Sequence, residues 1–126
     1  GPPDMERQEN HFESVEKQLS DPDSILNYYK RALRIRNENP EIARGTTELL
    51  ELSGNSGGDI AAVRRTWNGS SILIVYNLSD EAASLSDAAL ELDSRNIRGY
   101  LAVSAGDEPS ISGELEIPPH SIIFLK

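Results

Sequence analysis

The stretch IAAVRRTWNGSSILIVYNL, residues 60–78, contains two apolar segments on either side of Asn68-Gly69. Both segments are short, rich in β-branched residues and partly alternating, which is typical of strands rather than helices. Asn-Gly between two such segments favours a two-residue type I′ turn, because both residues tolerate a positive φ. The stretch therefore predicts an antiparallel β-hairpin, with strands at residues 60–67 and 71–78.

The same short apolar segments continue on both sides of this hairpin. Clusters of Gly, Pro, Asn and Asp separate them, and such clusters mark turns and loops. The further predicted strands cover residues 48–52, 83–85, 90–92, 99–103, 111–117 and 121–125. Seven or eight short strands at this spacing predict a mainly β fold, an antiparallel β-sandwich with Greek-key-like connections.

A helical period precedes the strands in DPDSILNYYKRALRIRNENP, residues 21–40. Asp21 suits the N-cap and Pro22 the first helical position, and Asn39-Pro40 ends the helix because the residue before proline avoids the α region. A shorter helical turn is predicted to begin near Ser14. One amphipathic helix is thus expected before the sandwich.

The apolar residues of the main helix cover about half of its circumference at 100° per residue, whereas a surface helix usually needs a narrower stripe. We therefore expect this helix to have partners on two sides. Arg36 lies near the middle of the apolar arc and needs a carboxylate or carbonyl wherever it is buried. The arc consists of Ile25, Leu26, Tyr28, Tyr29, Ala32, Leu33 and Ile35.

Composition argues against several classes of partner. A net charge of −9 and a pI near 4.6 disfavour nucleic acid and anionic membrane surfaces. There is no cysteine, which excludes disulfides and thiolate metal sites, and no apolar run is long enough to span a membrane. The N-terminal Gly-Pro-Pro-Asp does not resemble a signal peptide, so we expect a piece of a longer protein. A cysteine-free, acidic chain is compatible with an exported bacterial protein and equally with a cytoplasmic one.

Several of these segments resemble glycoside hydrolase family 13, the alpha-amylase and oligo-alpha-glucosidase group. The resemblance begins with Val15-Glu16-Lys17-Gln18, the run from Asp21 to Tyr29, and Ile35-Arg36 in place of the usual Leu-Arg. It continues through Asn39-Pro40, Arg44-Gly45, the strand at residues 72–79 and the closing segment at residues 117–125. These segments follow the order found in the family, from the last barrel helix to the C-terminal all-β domain.

The resemblance implies three regions. Residues 1–20 would be a loop and short helical turn from the end of the catalytic barrel, residues 21–44 the last barrel helix and linker, and residues 45–126 the C-terminal β-sandwich domain. The longer protein would hydrolyse or transfer alpha-glucosidic bonds in starch-like glucans and maltooligosaccharides, by a retaining two-carboxylate mechanism. The helix and sandwich of this chain would be non-catalytic and would stabilise the catalytic barrel.

The family's catalytic Asp and Glu residues lie on earlier barrel strands, and no acidic residue here matches them. We therefore expect no catalytic residue, no cofactor and no metal site in this chain. His11 and His120 lack the companion ligands of a zinc site and are interpreted as surface imidazoles. The pairs Glu48 with Glu51 and Glu114 with Glu116 are interpreted as solvated carboxylates, and the glycine-rich residues 54–58 as a loop without phosphate-binding character.

Trp67 is the one candidate sugar contact, although packing within the hairpin is the simpler interpretation. Two alternatives stay open: a carbohydrate-binding module that holds alpha-glucan through exposed aromatic residues, and a plain protein-interaction domain. The catalytic barrel is the expected partner, alpha-glucan is a second candidate, and the exposed helix face could also mediate self-association.

Overall fold

A computed structural model describes residues 14–52, 59–104 and 106–126. Within these ranges three helices precede the strands: α1 (Val15–Ser20), α2 (Ile25–Glu38) and α3 (Pro40–Arg44). The strands that follow are β1 (Thr46–Leu50), β2 (Ile60–Trp67), β3 (Ser70–Asn77), β4 (Ala83–Leu85), β5 (Ile97–Ala102), β6 (Ser110–Ser112), β7 (Glu114–Ile117) and β8 (Ser121–Leu125).

The strands form two antiparallel sheets. The larger sheet has the order β1-β2-β3-β8-β5, and the smaller has the order β4-β7-β6. The closing strand β8 lies between β3 and β5, so the end of the chain pairs with the central hairpin. The predicted antiparallel β-sandwich with a preceding helix is confirmed.

The larger sheet separates two apolar cores because alternate residues of a strand point to opposite faces. Leu73 and Val75 of β3 face the smaller sheet, in a core with Leu115 and Ile123. Ile72 and Ile74 of the same strand face the other way, toward α2. The molecule therefore has three layers: the small sheet, the large sheet and the long helix.

The central hairpin forms as the sequence indicates. Asn68 has φ of 53° and Gly69 of 80°, as a type I′ turn requires. The register runs without interruption from Ile60 opposite Asn77 to Trp67 opposite Ser70.

The long helix begins later than predicted. Ser24, rather than Asp21, is its N-cap, and the Ser24 side chain accepts a hydrogen bond from the Asn27 N–H. Asp21 instead accepts from the Asp23 N–H within the turn after α1. The Asn27 side chain donates to the carbonyls of Gln18, Leu19 and Asp21 and so holds that turn against α2. These contacts between two helices outweigh the local preference for a start at Asp21-Pro22.

Two strand predictions need correction. The segment 90–92 is not a strand: it lies in two consecutive 3₁₀ turns, Ala88–Leu90 and Leu92–Ser94, of which the first is capped by Asp87. Leu90 is fully buried there, so its apolar character reflects core packing and not a strand period. The segment 111–117 is two strands, because Gly113, with φ of 72°, turns the chain between β6 and β7. The remaining predicted strands differ from the observed ones by up to two residues at each end.

Candidate functional site

Helix α2 rests on the large sheet along one flank only. Ile35, at 4% exposure, lies in the outer core with Ile72 and Phe124, and Tyr28 and Ala32 pack against the same core. The contact is close: a Cβ added at Gly99 of β5 would lie 2.7 Å from the Ile35 Cγ1 atom. The docked flank thus follows the spacing i, i+4, i+7 of a helical stripe.

An adjacent flank of α2 is apolar and open to solvent. Ile25 is 72% exposed, Tyr29 63% and Leu33 53%. These residues are four positions apart and form one continuous stripe, which we call the free flank. Helix α1 adds the exposed side chains of Val15 and Leu19. The apolar arc of α2 therefore has one flank packed on the sheet and one flank open to solvent, and a partner for the second flank stays a prediction.

Arg36 belongs to the free flank, because it follows Tyr29 by seven residues and Leu33 by three. Its side chain is exposed and makes no ion pair with another described residue. Because Arg36 is exposed within this chain, it does not need the carboxylate or carbonyl partner that burial would require.

Trp67, the candidate sugar contact, ends β2 beside the hairpin turn and is half-buried. The guanidinium carbon of Arg44, at the end of α3, lies 5.4 Å from the centroid of its ring. This distance is within the range of a cation–π interaction. One ring face is thus occupied by a side chain of the same molecule, and packing between the hairpin and α3 accounts for the position of Trp67.

The other residues weighed as functional candidates lie apart from one another. His120 is exposed and contacts Asp80, while His11 and residues 54–58 lie outside the described residues. Glu48, Glu51, Glu114 and Glu116 are all exposed. Across residues 14–52, 59–104 and 106–126, no group of three or more His, Asp or Glu side chains is placed to hold a metal ion. No helix in these ranges is long and apolar enough to cross a membrane.

Two buried polar residues organise the structure and were not singled out from the sequence. Asn77 is 1% exposed and donates to three backbone carbonyls, and Glu41 is likewise 1% exposed. Asn77 ends β3 within a segment that resembles family 13, and Glu41 directly follows the Asn39-Pro40 of that resemblance. Burial was not foreseeable for either, because Asn and Glu are mostly surface residues.

Comparison with known proteins found similar sequences and structures. No family profile matches the chain. A probable alpha-glucosidase of Rhizobium meliloti strain 1021 is 35% identical over 71 residues, which is 56% of this chain and 12% of that protein.

Solved structures of other proteins match a larger share of this chain than the alpha-glucosidase does. The structure of Eubacterium rectale Amy13B superposes with a TM-score of 0.77 at 32% identity, over 91% of this chain and 22% of that one. The alpha-amylase from H. orenii gives a TM-score of 0.60 at 25% identity, over 93% of this chain and 23% of that one. The chain thus corresponds to a small part of much longer proteins.

These matches confirm the family resemblance that the sequence motifs indicate. The family is glycoside hydrolase family 13, the alpha-amylase family, and the chain resembles its C-terminal part.

Proposed function

We propose that this chain is the non-catalytic C-terminal region of an alpha-amylase-family enzyme, and that it stabilises the catalytic barrel by docking through the free flank of α2. The enzyme would act on alpha-glucosidic bonds in starch-like glucans. The observation that carries the proposal is the uncovered apolar stripe of Ile25, Tyr29 and Leu33, exposed by 72%, 63% and 53%.

The free energy at stake supports a covering domain. Leaving about 200–300 Å² of apolar surface in water forfeits roughly 5–8 kcal/mol, at 25 cal/mol per Å². That amount is comparable to the whole stability of a small domain. A domain that only carried charges or bound ligand at its loops would gain nothing from such a stripe. The barrel is the natural occupant, because the matched relatives extend far beyond the segment that this chain matches.

Arg36 adds a chemical requirement for the covering surface. The guanidinium lies on the free flank, so docking would remove it from water. A buried, unpaired charge costs several kcal/mol, whereas a carboxylate with good geometry offsets that cost. We therefore infer that the barrel surface opposite the free flank is apolar and presents one carboxylate to Arg36.

The test compares one substitution in two contexts. Leu33→Glu changes a side chain that is exposed in this chain alone, so it should change the stability of the 126-residue chain by less than about 0.5 kcal/mol. In a full-length enzyme that contains this chain, the same substitution buries an unpaired charge, and the catalytic domain should lose about 3 kcal/mol or more.

The matched control is Arg34→Gln, which makes the same one-unit change in net charge on an exposed side chain of α2. Arg34 lies about 100° or more around the helix from Leu33, Tyr29 and Ile25 and so is away from the free flank. This control should leave the thermal inactivation of the full-length enzyme almost unchanged. Equal inactivation temperatures for Leu33→Glu and Arg34→Gln would refute docking through this flank.

Glucan binding by the sandwich itself is the second candidate. Trp67 is the residue that could carry it, but its contact with Arg44 leaves at most one ring face for a sugar. A dissociation constant near ~10 μM for maltoheptaose, about −7 kcal/mol, would favour the carbohydrate-binding module over our proposal.

A further inference from the structure

The segment between the long helix and the sandwich is held by one buried carboxylate. Glu41 lies in α3 and is 1% exposed. Its Oε1 atom is 2.6 Å from the Lys126 Nζ atom, and it accepts a hydrogen bond of 2.7 Å from the Ser70 hydroxyl. Lys126 directly follows β8, and Ser70 begins β3 after the hairpin turn. One side chain thus joins three segments that are far apart in the sequence.

The backbone of the same segment is fixed to β2. The guanidinium of Arg65 donates to the Glu41 carbonyl at 3.3 Å and to the Ile42 carbonyl at 2.8 Å. At Gly45 the chain approaches β2 so closely that an added Cβ would lie 2.5 Å from the Glu41 carbonyl oxygen and 3.0 Å from that of Thr66. Helix α3 therefore has little freedom to shift while these contacts last.

The position of α3 determines where the end of α2 lies. Asn39, between the two helices, is 4% exposed, and its side chain donates to the Ile35 carbonyl at 2.8 Å. Ile35 is the residue that packs against Gly99 of β5. A shift of α3 would pull Asn39 and Ile35 with it and change the angle of α2 on the large sheet.

Stability alone does not explain a carboxylate at this position. The second oxygen of Glu41, Oε2, is buried without a hydrogen-bond partner among the described residues. A buried ion pair is often no more stabilising than a well-packed apolar pair of similar volume, although breaking it is costly. What the ion pair supplies is a single geometry, because both Lys126 and Ser70 must point at the same oxygen atom.

We propose that Glu41 is a positioning residue: it locks the long helix in one orientation on the sandwich, and the lock opens when the carboxylate is neutralised. We call the contacts of Glu41 with Lys126 and Ser70 the Glu41 lock. It concerns the geometry of this chain alone and does not depend on what covers the free flank.

The direction of the pH effect follows from the surroundings of Glu41. Burial raises the pKa of its carboxyl, but hydrogen bonds from Lys126, Ser70 and its own backbone N–H outweigh burial and leave the pKa below its ordinary value. A lowered pKa in the folded state means that the stabilisation is present above the unfolded pKa and is lost as the pH falls through the folded pKa.

The other charged groups nearby do not compete for the Glu41 carboxylate. Arg65 faces the carbonyl side of the segment. Glu38 and Arg98 line a cleft of about 240 Å³ beside Lys126 and Asn39. Neither residue forms an ion pair with Glu41.

Trp67 provides a spectroscopic reporter of the Glu41 lock. It is the single tryptophan of the chain, and it stacks under Arg44 at the end of α3. Movement of α3 away from β2 would expose the indole ring and shift its emission to the red. The circular dichroism of the sheet monitors the fold independently.

The experiment is a pH titration of Trp67 emission in four proteins. In the wild type the red shift should occur as the pH falls through the folded pKa of Glu41, while the sheet signal persists. In Lys126→Met, which removes the cation and leaves burial to raise the pKa, the shift should move to higher pH. In Glu41→Gln the emission should be red-shifted at neutral pH and should not change across this range.

Glu48→Gln is the matched control, since Glu48 is an exposed carboxylate that pairs with Arg64 at 3.0 Å on the same sheet. Its titration should follow the wild type. A wild-type profile in both Glu41→Gln and Lys126→Met would overturn the proposal, as would loss of the sheet signal together with the red shift in the wild type.

Hydrogen exchange keeps the proposal testable if Glu41→Gln does not fold. In Lys126→Met at mildly acidic pH, amides of residues 35–45 should exchange at least about tenfold faster relative to β3 than in the wild type, because only a local unit opens. An unchanged ratio would contradict the Glu41 lock.

Discussion

Asn77 joins three parts of the sandwich through one side-chain amide. Its Nδ2 atom donates to the carbonyls of Glu81 at 2.9 Å and Pro118 at 3.0 Å, and more weakly to that of Ile117 at 3.4 Å. Its Oδ1 atom accepts from the Ser79 N–H. The segment Asn77-Leu78-Ser79, part of the resemblance to family 13, therefore has a structural role at the end of β3.

We predict that Asn77→Asp is much more destabilising than its small change in shape suggests. The substitution replaces an amide donor by a carboxylate oxygen that faces three carbonyls, while only the Ser79 N–H still donates to the side chain. Burying a charge with so few donors costs about 3–5 kcal/mol. Urea unfolding measures the loss. Asn68→Asp in the exposed turn is the control and should cost less than about 0.5 kcal/mol. Equal losses for the two variants would contradict the role of Asn77.

Trp67→Ala separates packing from sugar binding at a single residue. Because the ring is only half-buried, we expect a loss of about 1–3 kcal/mol, below the range for fully buried tryptophans. Arg44→Ala removes the ring contact alone and should cost about 0.5–1 kcal/mol. Calorimetry with maltoheptaose should detect no binding in either variant or in the wild type. Binding in the wild type that Trp67→Ala abolishes, with the fold intact, would favour the carbohydrate-binding module.

At the scale of elements, α2 combines a firmly docked end with a loosely held one. Ile35 is packed against Gly99, whereas Ile25, in the first turn, is 72% exposed. Local stability follows the density of buried contacts. The helix should therefore open from its N-terminal end, and the free flank should favour association at high concentration.

Hydrogen exchange and sedimentation test this behaviour of the helix. In a monomeric sample, the amides of residues 28–31 should be less protected than those of residues 35–38, and both less than β3. At higher protein concentration a dimer should form, and Leu33→Glu should abolish it while Arg34→Gln should not. Protection of the whole helix equal to that of β3 in a strictly monomeric sample would remove the physical reason for a covering domain.

At the scale of the whole molecule, a prediction about activity follows from the resemblance to family 13. The chain matches only 12% of a probable alpha-glucosidase, and the resemblance implies that the catalytic carboxylates lie outside this chain. We predict that the 126-residue chain releases no glucose from maltooligosaccharides, because a retaining glycosidase needs two carboxyl groups about 5–5.5 Å apart in a substrate cleft. Glucose release above a buffer blank that stops on mutation of one acidic residue would refute this prediction.

Several features of the whole fold could be read from local signals. The Asn68-Gly69 turn, the strands beside it and the apolar arc of α2 were predictable because turn chemistry and apolar periodicity are properties of neighbouring residues. The start of α2 at Ile25 was not, since Asn27 is engaged by carbonyls of α1. The buried Leu90 gave a false strand for a different reason: an apolar residue indicates burial, and burial alone does not distinguish a strand from a 3₁₀ turn.

The sequence by itself determined the sandwich, the preceding helix and the wide apolar arc of that helix. Only the tertiary structure decided which flank is packed, because Tyr28, Ala32 and Ile35 contact the sheet while Tyr29 and Leu33 stay in water. It also decided that Arg36 is exposed and that Glu41 is buried. The physical reason is that a residue's own chemistry sets what it needs, whereas burial and charge pairing depend on Lys126, Ser70 and Gly99, which lie far along the chain.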